Sequence, residues 1–268
     1  MTLDQSAAPS DMDAMKISIA FSASRRPEAQ EALQRLTKKY GQVSEENAEV
    51  IVALGGDGAM LDAMRRRFGD KKPVYGMNRG TVGFLMNDFD EEDLYQRINK
   101  AEKATVMPLR MAATDIHGEL HECLAINEIS LFRQTAQSAK LRIRVDSRER
   151  MSELTCDGIM VATPAGSTAY NLSAHGPILP IGANLLALTP VSAFRPRRWR
   201  GALLRHDAKV EFDIVEPERR PVAAGADNQE VRDIAHVRVM EDRSKPLTML
   251  FDPGHALDER VLREQFSF

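Results

Sequence analysis

Residues 50–58 read Val-Ile-Val-Ala-Leu-Gly55-Gly56-Asp57-Gly58: five apolar residues running into a glycine-rich turn that holds one carboxylate. A helix-like segment, 59–68, follows. Glycines let a backbone approach a bulky anion, and a helix N-terminus adds free N–H groups and a positive dipole end. A carboxylate in such a turn is badly placed to hold phosphate by itself. It is well placed to take a proton from a hydroxyl, or to hold a metal that bridges phosphates. The turn points to phosphoryl transfer or nucleotide binding, unless Asp57 merely caps the helix.

Three further stretches carry chemistry. In Ala125-Ile126-Asn127-Glu128-Ile129-Ser130, two adjacent polar residues sit inside an apolar strand pattern, so their side chains point to opposite faces. One is then buried or faces a cleft, unless both lie at a solvated strand end; a buried carboxylate needs donors, such as an adenine amino group or ribose hydroxyls. Residues 157–173 run from Asp157-Gly158 through an apolar strand into Thr163-Pro164-Ala165-Gly166-Ser167-Thr168-Ala169-Tyr170-Asn171-Leu172-Ser173. Thr163 or Ser167 is a natural helix cap, and Gly166 permits close backbone approach to a phosphate, sugar or amide, unless the segment is only a capped helix. Asp227-Asn228-Gln229 reads, by itself, as a plain hairpin turn.

The elements that must position these residues change character along the chain. Strand patterns at 16–21, 50–54 and 73–77 alternate with helical patterns at 27–40, 59–68 and 91–103. Such alternation predicts a doubly wound parallel sheet, with ligands beyond the carboxyl ends of its strands. Both Gly55–Gly58 and Asn78-Arg79-Gly80-Thr81-Val82-Gly83 fall at such ends. From residue 108 the segments become short and β-branched, with alternation at 140–146 and 236–239, which predicts an all-β domain of two packed sheets. The expected organisation is an α/β domain over 1–107, a β-rich domain over 108–250, and a C-terminal segment, 251–268, returning to the first domain.

Bulk properties narrow the function classes. Of 268 residues, 43% are apolar and 28% charged, as in an ordinary globular protein, and the formal net charge of −3 favours neither nucleic acid nor an acidic membrane. No apolar run approaches the roughly 20 residues that span a bilayer. Residues 1–13 are acidic and polar, read as a frayed tail or cloning remnant rather than a secretory signal. Two cysteines, Cys123 and Cys156, lack metal-site spacing and suit a reducing cytoplasm, although a disulfide between them stays open. The basic run around Trp199 reads as a solvated loop or an intersubunit surface. His175 either lines the site beside it or is a hydrogen-bonded structural residue.

Taken together and in this order, these motifs resemble the NAD kinase family over nearly the whole chain. Its marks are Gly55-Gly56-Asp57-Gly58, Asn78-Arg79-Gly80 with Gly83-Phe84-Leu85, Asn127-Glu128, Asp157-Gly158, the Thr163–Tyr170 run, Gly176-Pro177-Ile178, Thr189-Pro190 and Asp227-Asn228-Gln229. The first motif alone also occurs in lipid and sugar kinases; the Thr163–Tyr170 run is specific. The resemblance implies transfer of phosphate from ATP to the 2′-hydroxyl of the adenosine ribose of NAD, giving NADP, with magnesium or another divalent cation. Asp57 would be the catalytic base, with Gly58 and its neighbours near the dinucleotide phosphates. Asn127 and Glu128 would bind the ribose and base of NAD, and Asp157 and Ala165 would contact its nicotinamide half. Thr168, Ala169, Tyr170, Asn171, Leu172 and Ser173 would surround adenine and ribose, with Gln229 near the acceptor ribose. It also implies a homodimer or homotetramer in the cytoplasm. The metal-ligating residues, polyphosphate in place of ATP, use of NADH, and feedback by NADP(H) stay open. So do a lipid or sugar kinase, and a silent NAD(H) sensor, as alternatives. Ala59 stands where a threonine is common, His175 where many relatives have glycine, and Thr155 where some carry arginine.

Overall fold

The computed structural model describes residues 16–80, 83–197, 199–254 and 257–266. The 1–13 tail, Thr81 and Val82 of the second turn, and Arg198 of the basic run lie outside the described residues. The chain divides into two compact units. Among described residues the first takes in 16–67, 71–104 and 248–254, and the second takes in 68–70, 105–247 and 257–266.

The first unit is built on a five-stranded sheet in the order Ile19–Ala23, Val50–Gly55, Val74–Asn78, Leu247–Phe251, Glu102–Val106. The first four strands run parallel. Val50–Gly55 is buried along its whole length, as a strand covered on both faces must be. The Pro27–Tyr40 helix starts with proline at its first turn and buries the stripe Ala29, Ala32 and Leu36. With Leu94 and Ile98 of the Leu94–Lys100 helix, that stripe covers Phe21, Val52, Leu54 and Tyr75. Ile51 and Ala53, which alternate with these, are also fully buried, and the Asp57–Arg65 helix packs on the second and third strands.

The second unit holds two six-stranded sheets whose paired strands are antiparallel. One runs in the order Ala202–Arg205, Leu185–Val191, Gly158–Ala162, Glu128–Arg133, Val222–Ala226, Gln229–Val231. The other runs Leu120–Ala125, Leu109–Asp115, Ile234–Glu241, Val210–Ile214, Ala139–Val145, Arg148–Cys156. Ala139–Val145 alternates buried and half-buried residues without a break, as period-2 patterning requires. Its buried residues share one core with Ile129, Leu131, Ile159 and Val161 of the other sheet.

Three expectations are corrected. The 91–103 segment splits into a helix, Leu94–Lys100, and a strand, Glu102–Val106. The apolar pattern through 125–130 is not one strand: Leu120–Ala125 and Glu128–Arg133 are two strands that belong to different sheets. The chain returns to the first unit through the Leu247–Phe251 strand, which pairs with Val74–Asn78, whereas the terminal helix Leu257–Glu264 belongs to the second. That helix buries Leu257 and Val261 and lies near the helical turn Ile181–Ala183.

Candidate functional site

In the first unit, Gly55 has φ +153°, a region that L side chains rarely adopt, and an added Cβ would stand 2.8 Å from the Ala59 Cβ. The strand therefore ends on a glycine for steric reasons, and the helix begins two residues later. Asp57 is the first helical residue, not its cap, and its side chain makes no capping bond. Its carboxylate instead accepts the backbone N–H groups of Phe84 at 2.9 Å and Leu85 at 2.7 Å. Two acceptor oxygens are thereby held in one orientation while their remaining lone pairs stay available. The Ala59 and Met60 N–H groups donate to the Gly56 carbonyl at 2.9 and 3.3 Å, whereas those of Gly56, Asp57 and Gly58 precede any intrahelical acceptor.

The turn opens on a polar cavity of about 640 Å³ lined by Ser24, Arg25, Arg26, Gly56, Asp57, Gly58, Asp62 and Gly80, with Ala23 and Ala59. Arg25 and Arg26 are exposed at the start of the Pro27–Tyr40 helix. Ser24 on the same wall carries a buried hydroxyl with no hydrogen-bond partner among the described residues. Cationic groups, free N–H groups and a fixed carboxylate in one cavity suit a phosphate chain and a hydroxyl to be deprotonated.

In the second unit, the chain crosses from one sheet to the other at Ile126-Asn127, and the corner leaves three consecutive N–H groups without ladder partners. Asp227 supplies them. Its carboxylate accepts from Ile126 at 2.8 Å, Asn127 at 2.9 Å and Glu128 at 3.4 Å. Asp227 sits in the two-residue turn between Val222–Ala226 and Gln229–Val231 at φ +51°, a left-handed conformation that aspartate tolerates. Beside this corner, the Glu128 side chain keeps one carboxylate oxygen buried with no partner among the described residues. Burial, with the Asp227 charge as a lesser contribution, pushes its pKa up to about 7. An unpartnered buried carboxyl is costly unless a ligand supplies donors.

The residue 163–176 segment locks onto the same corner. Thr163 donates its hydroxyl to the Ile126 carbonyl at 2.7 Å and accepts the Gly166 N–H at 3.0 Å. Thr163 rather than Ser167 is thus the capping hydroxyl. A Cβ on Gly166 would fall 2.1 Å from the Asn127 carbonyl oxygen, so only glycine fits. The segment is a 3₁₀ turn, Ala165–Thr168, followed by one short helical turn, Tyr170–Ser173. Tyr170 stays 44% exposed, with its ring 5.8 Å from that of Phe132.

The ATP-NAD kinase N-terminal domain model matches residues 6–105, and the ATP-NAD kinase C-terminal domain model matches residues 126–240. The NAD kinase of Hyphomonas neptunium is 71% identical over 93% of this chain and 98% of its own length. That of Caulobacter vibrioides is 61% identical over 93% of this chain and 96% of its own. The chain belongs to the ATP-NAD kinase family. Two solved structures share the fold. Yeast NADH kinase complexed with NADH has a TM-score of 0.80 at 20% identity, covering 94% of this chain and 88% of that one. An NAD kinase from Archaeoglobus fulgidus in complex with ATP has a TM-score of 0.74 at 23% identity, covering 94% and 100%.

Within this member of the ATP-NAD kinase family, the expected site residues fall into groups. Gly58 is exposed beside Asp57. Asn127 and Glu128 stand together at the corner, but Asn127 lies in the bend before the strand and only Glu128 within it. Thr168, Ala169, Tyr170, Leu172 and Ser173 are partly or fully exposed around the helical turn. Gln229 is exposed at the head of its short strand. Asp157 is held by Arg133, whose Nε donates to it at 2.6 Å.

Ala165 is only 4% exposed, and Asn171 is fully buried. Asn171 is a correction. Its amide donates to the Ser167 and Pro177 carbonyls at 3.0 and 2.9 Å and accepts from the Thr189 hydroxyl at 2.7 Å, which leaves it bracing the segment. Gly176 makes room for it, since a Cβ there would lie 2.1 Å from the Asn171 oxygen. His175 is exposed at φ +62°. Both cysteines are free, and burial pushes the Cys156 thiol up to about 12. Asp227 was missed as a site residue, because a turn aspartate carries no sign of which distant N–H groups it serves. Arg25 and Arg26 were missed because exposed arginines before a helix look like solvated surface.

Proposed function

We propose that this protein transfers the terminal phosphoryl group of ATP to the 2′-hydroxyl of the adenosine ribose of NAD, making NADP. The observation that carries this is Asp57. It stands at the head of the glycine-rich turn, is not spent on capping, and is aimed by two backbone N–H groups into a polar cavity. A ribose hydroxyl is a poor nucleophile, and a positioned base contributes about 10²–10⁴-fold. Arg25, Arg26 and the first-turn N–H groups suit the donor phosphates, which need positioning and charge neutralisation rather than covalent chemistry. Glu128, with Tyr170 as a stacking face, suits the ribose and base of the dinucleotide. Asn127, Asp157, Ala165, Thr168, Ala169, Leu172, Ser173 and Gln229 complete the NAD contacts under this reading.

Magnesium, when bound, would neutralise phosphate charge. The hard carboxylate oxygens of Asp62, on the wall of the same cavity, fit it and leave Asp57 for the proton. Among the described residues no helix is long and apolar enough to cross a membrane. A cytoplasmic homodimer or homotetramer goes with the reading.

The test is direct. The protein is incubated with ATP, magnesium and NAD, and NADP is measured. NADP formation that depends on Asp57 supports the proposal. Tight NAD binding without NADP would point to a sensor, and neither binding nor NADP would point to a kinase of lipids or sugars. Parallel reactions with polyphosphate and with NADH define the donor and the acceptor.

A further inference from the structure

The geometry points to Asn87 as the residue that positions the Asp57 carboxylate. This rests on the proposed role of Asp57. The two N–H groups that aim Asp57 belong to Phe84 and Leu85, and that loop needs an anchor of its own. Asn87, two residues on from Leu85, is fully buried and has every polar atom engaged. Its side-chain amide donates to the Gly76 carbonyl at 3.0 Å and the Leu250 carbonyl at 3.0 Å, and its side-chain oxygen accepts the Asp252 N–H at 2.8 Å. Its backbone N–H donates to Gly76 at 2.9 Å, and its carbonyl accepts from Asn78 at 2.8 Å.

Gly76 and Leu250 lie on neighbouring parallel strands of the sheet. Asn87 thus fastens the loop to the Val74–Asn78 and Leu247–Phe251 strands, and Val74–Asn78 pairs with the strand that ends in the Gly55-Gly56-Asp57-Gly58 turn. The Asn87 side chain, together with the two backbone bonds of the same residue, therefore ties the Phe84 and Leu85 donors in register with Asp57. Gly76 permits the close approach, since a Cβ there would meet the Met86 sulfur at 2.7 Å and the Leu85 carbonyl at 3.2 Å. A misplacement on the order of 1 Å at a reacting group can cost about 10²-fold in rate.

The experiment is a double-mutant cycle in NADP formation. Asn87→Ala and Asn87→Asp are each made alone and with Asp57→Asn, and thermal melting confirms that each is folded at the assay temperature. The expected result is a fall in kcat of at least about 10-fold for each Asn87 variant, with KM for NAD and for MgATP within about two-fold of wild type. In the Asp57→Asn background the same substitutions should leave the residual rate within about two-fold, because Asn87 acts through Asp57. Amide hydrogen exchange at Phe84 and Leu85 should accelerate in both Asn87 variants. Equal losses in the two backgrounds, or wild-type kcat in the Asn87 variants, would overturn the inference. Near-wild-type activity of Asp57→Asn alone would instead overturn the base assignment, and the exchange rates would still report whether Asn87 holds the loop.

Discussion

The Asp227 carboxylate accepts the Asn127 backbone N–H at 2.9 Å across 100 residues of sequence. This bond, with those to Ile126 and Glu128, lets the chain change sheets beside a buried acid without leaving the corner's N–H groups dry. Asp227→Ala removes both acceptor oxygens, and with them all three bonds. A buried group left unsatisfied costs about 1–3 kcal/mol, so a loss of roughly 2–4 kcal/mol in urea unfolding is expected. The NAD dissociation constant should rise at least about 10-fold, because the corner presents Asn127 and Glu128. Wild-type stability in this variant would show that the bonds are made by default and hold nothing.

Glu128 makes stability depend on pH in a defined direction. Its pKa moves from 4.5 in the unfolded chain up to about 7 in the fold, mainly through burial. Between those values the native state binds the extra proton, so stability falls as pH rises through the window and levels off above it. Glu128→Gln has no such proton. Relative to wild type it should gain stability from pH 5 to pH 8, by up to about 3 kcal/mol at 1.36 kcal/mol per pKa unit. Urea melts at the two pH values measure this, and parallel profiles for the two proteins would contradict it. NAD binding should also release a proton near pH 7 if ribose or base donors favour the ionised acid. Calorimetry in buffers of different ionisation enthalpy reads that release.

The Pro27–Tyr40 helix was legible to the residue, because proline at its start and an apolar stripe are local signals. The Gly55–Gly58 turn was legible for the same reason. The two-sheet core followed from alternation such as that in Ala139–Val145. What could not be read is what the tertiary fold decides. The crossing at Ile126-Asn127 looks like one continuous apolar strand, since nothing local marks a change of sheet. Asp57 and Asn171 show the same limit for the site. Both are polar residues in glycine- and hydroxyl-rich turns. One faces a cavity and the other is saturated by carbonyls and a hydroxyl from its own unit, and only long-range packing separates them.

Asp57→Asn keeps the shape of the side chain and one oxygen acceptor for the Phe84 and Leu85 donors. The fold should survive with a loss on the order of 1 kcal/mol, the value of a modest hydrogen bond. Turnover should fall at least about 10²-fold, with KM for NAD little changed, if the carboxylate acts in the transition state rather than in binding. Steady-state kinetics with both substrates varied make the distinction. A rise in KM at constant kcat would move Asp57 from catalysis to substrate binding.

Gly58 and Gly166 are both in glycine-rich turns, but for different reasons, and alanine separates them. Gly166 is glycine because of packing: a Cβ would lie 2.1 Å from the Asn127 oxygen and 2.4 Å from its carbonyl carbon, and backbone cannot give way as a flexible side chain does. Gly166→Ala should lose about 3 kcal/mol or more and take the Asn127–Glu128 corner with it. Among the described residues Gly58 has nothing within 4 Å of its would-be Cβ, and it sits in the first turn of a helix. Gly58→Ala should therefore fold at least as well as wild type, gaining up to about 1 kcal/mol from the lower entropy of the unfolded chain. Its methyl would still intrude where phosphates must approach the first-turn N–H groups. Stability in urea unfolding should thus hold or rise in this variant while the KM for MgATP rises at least about 10-fold. Unchanged affinity would place the phosphates away from Gly58.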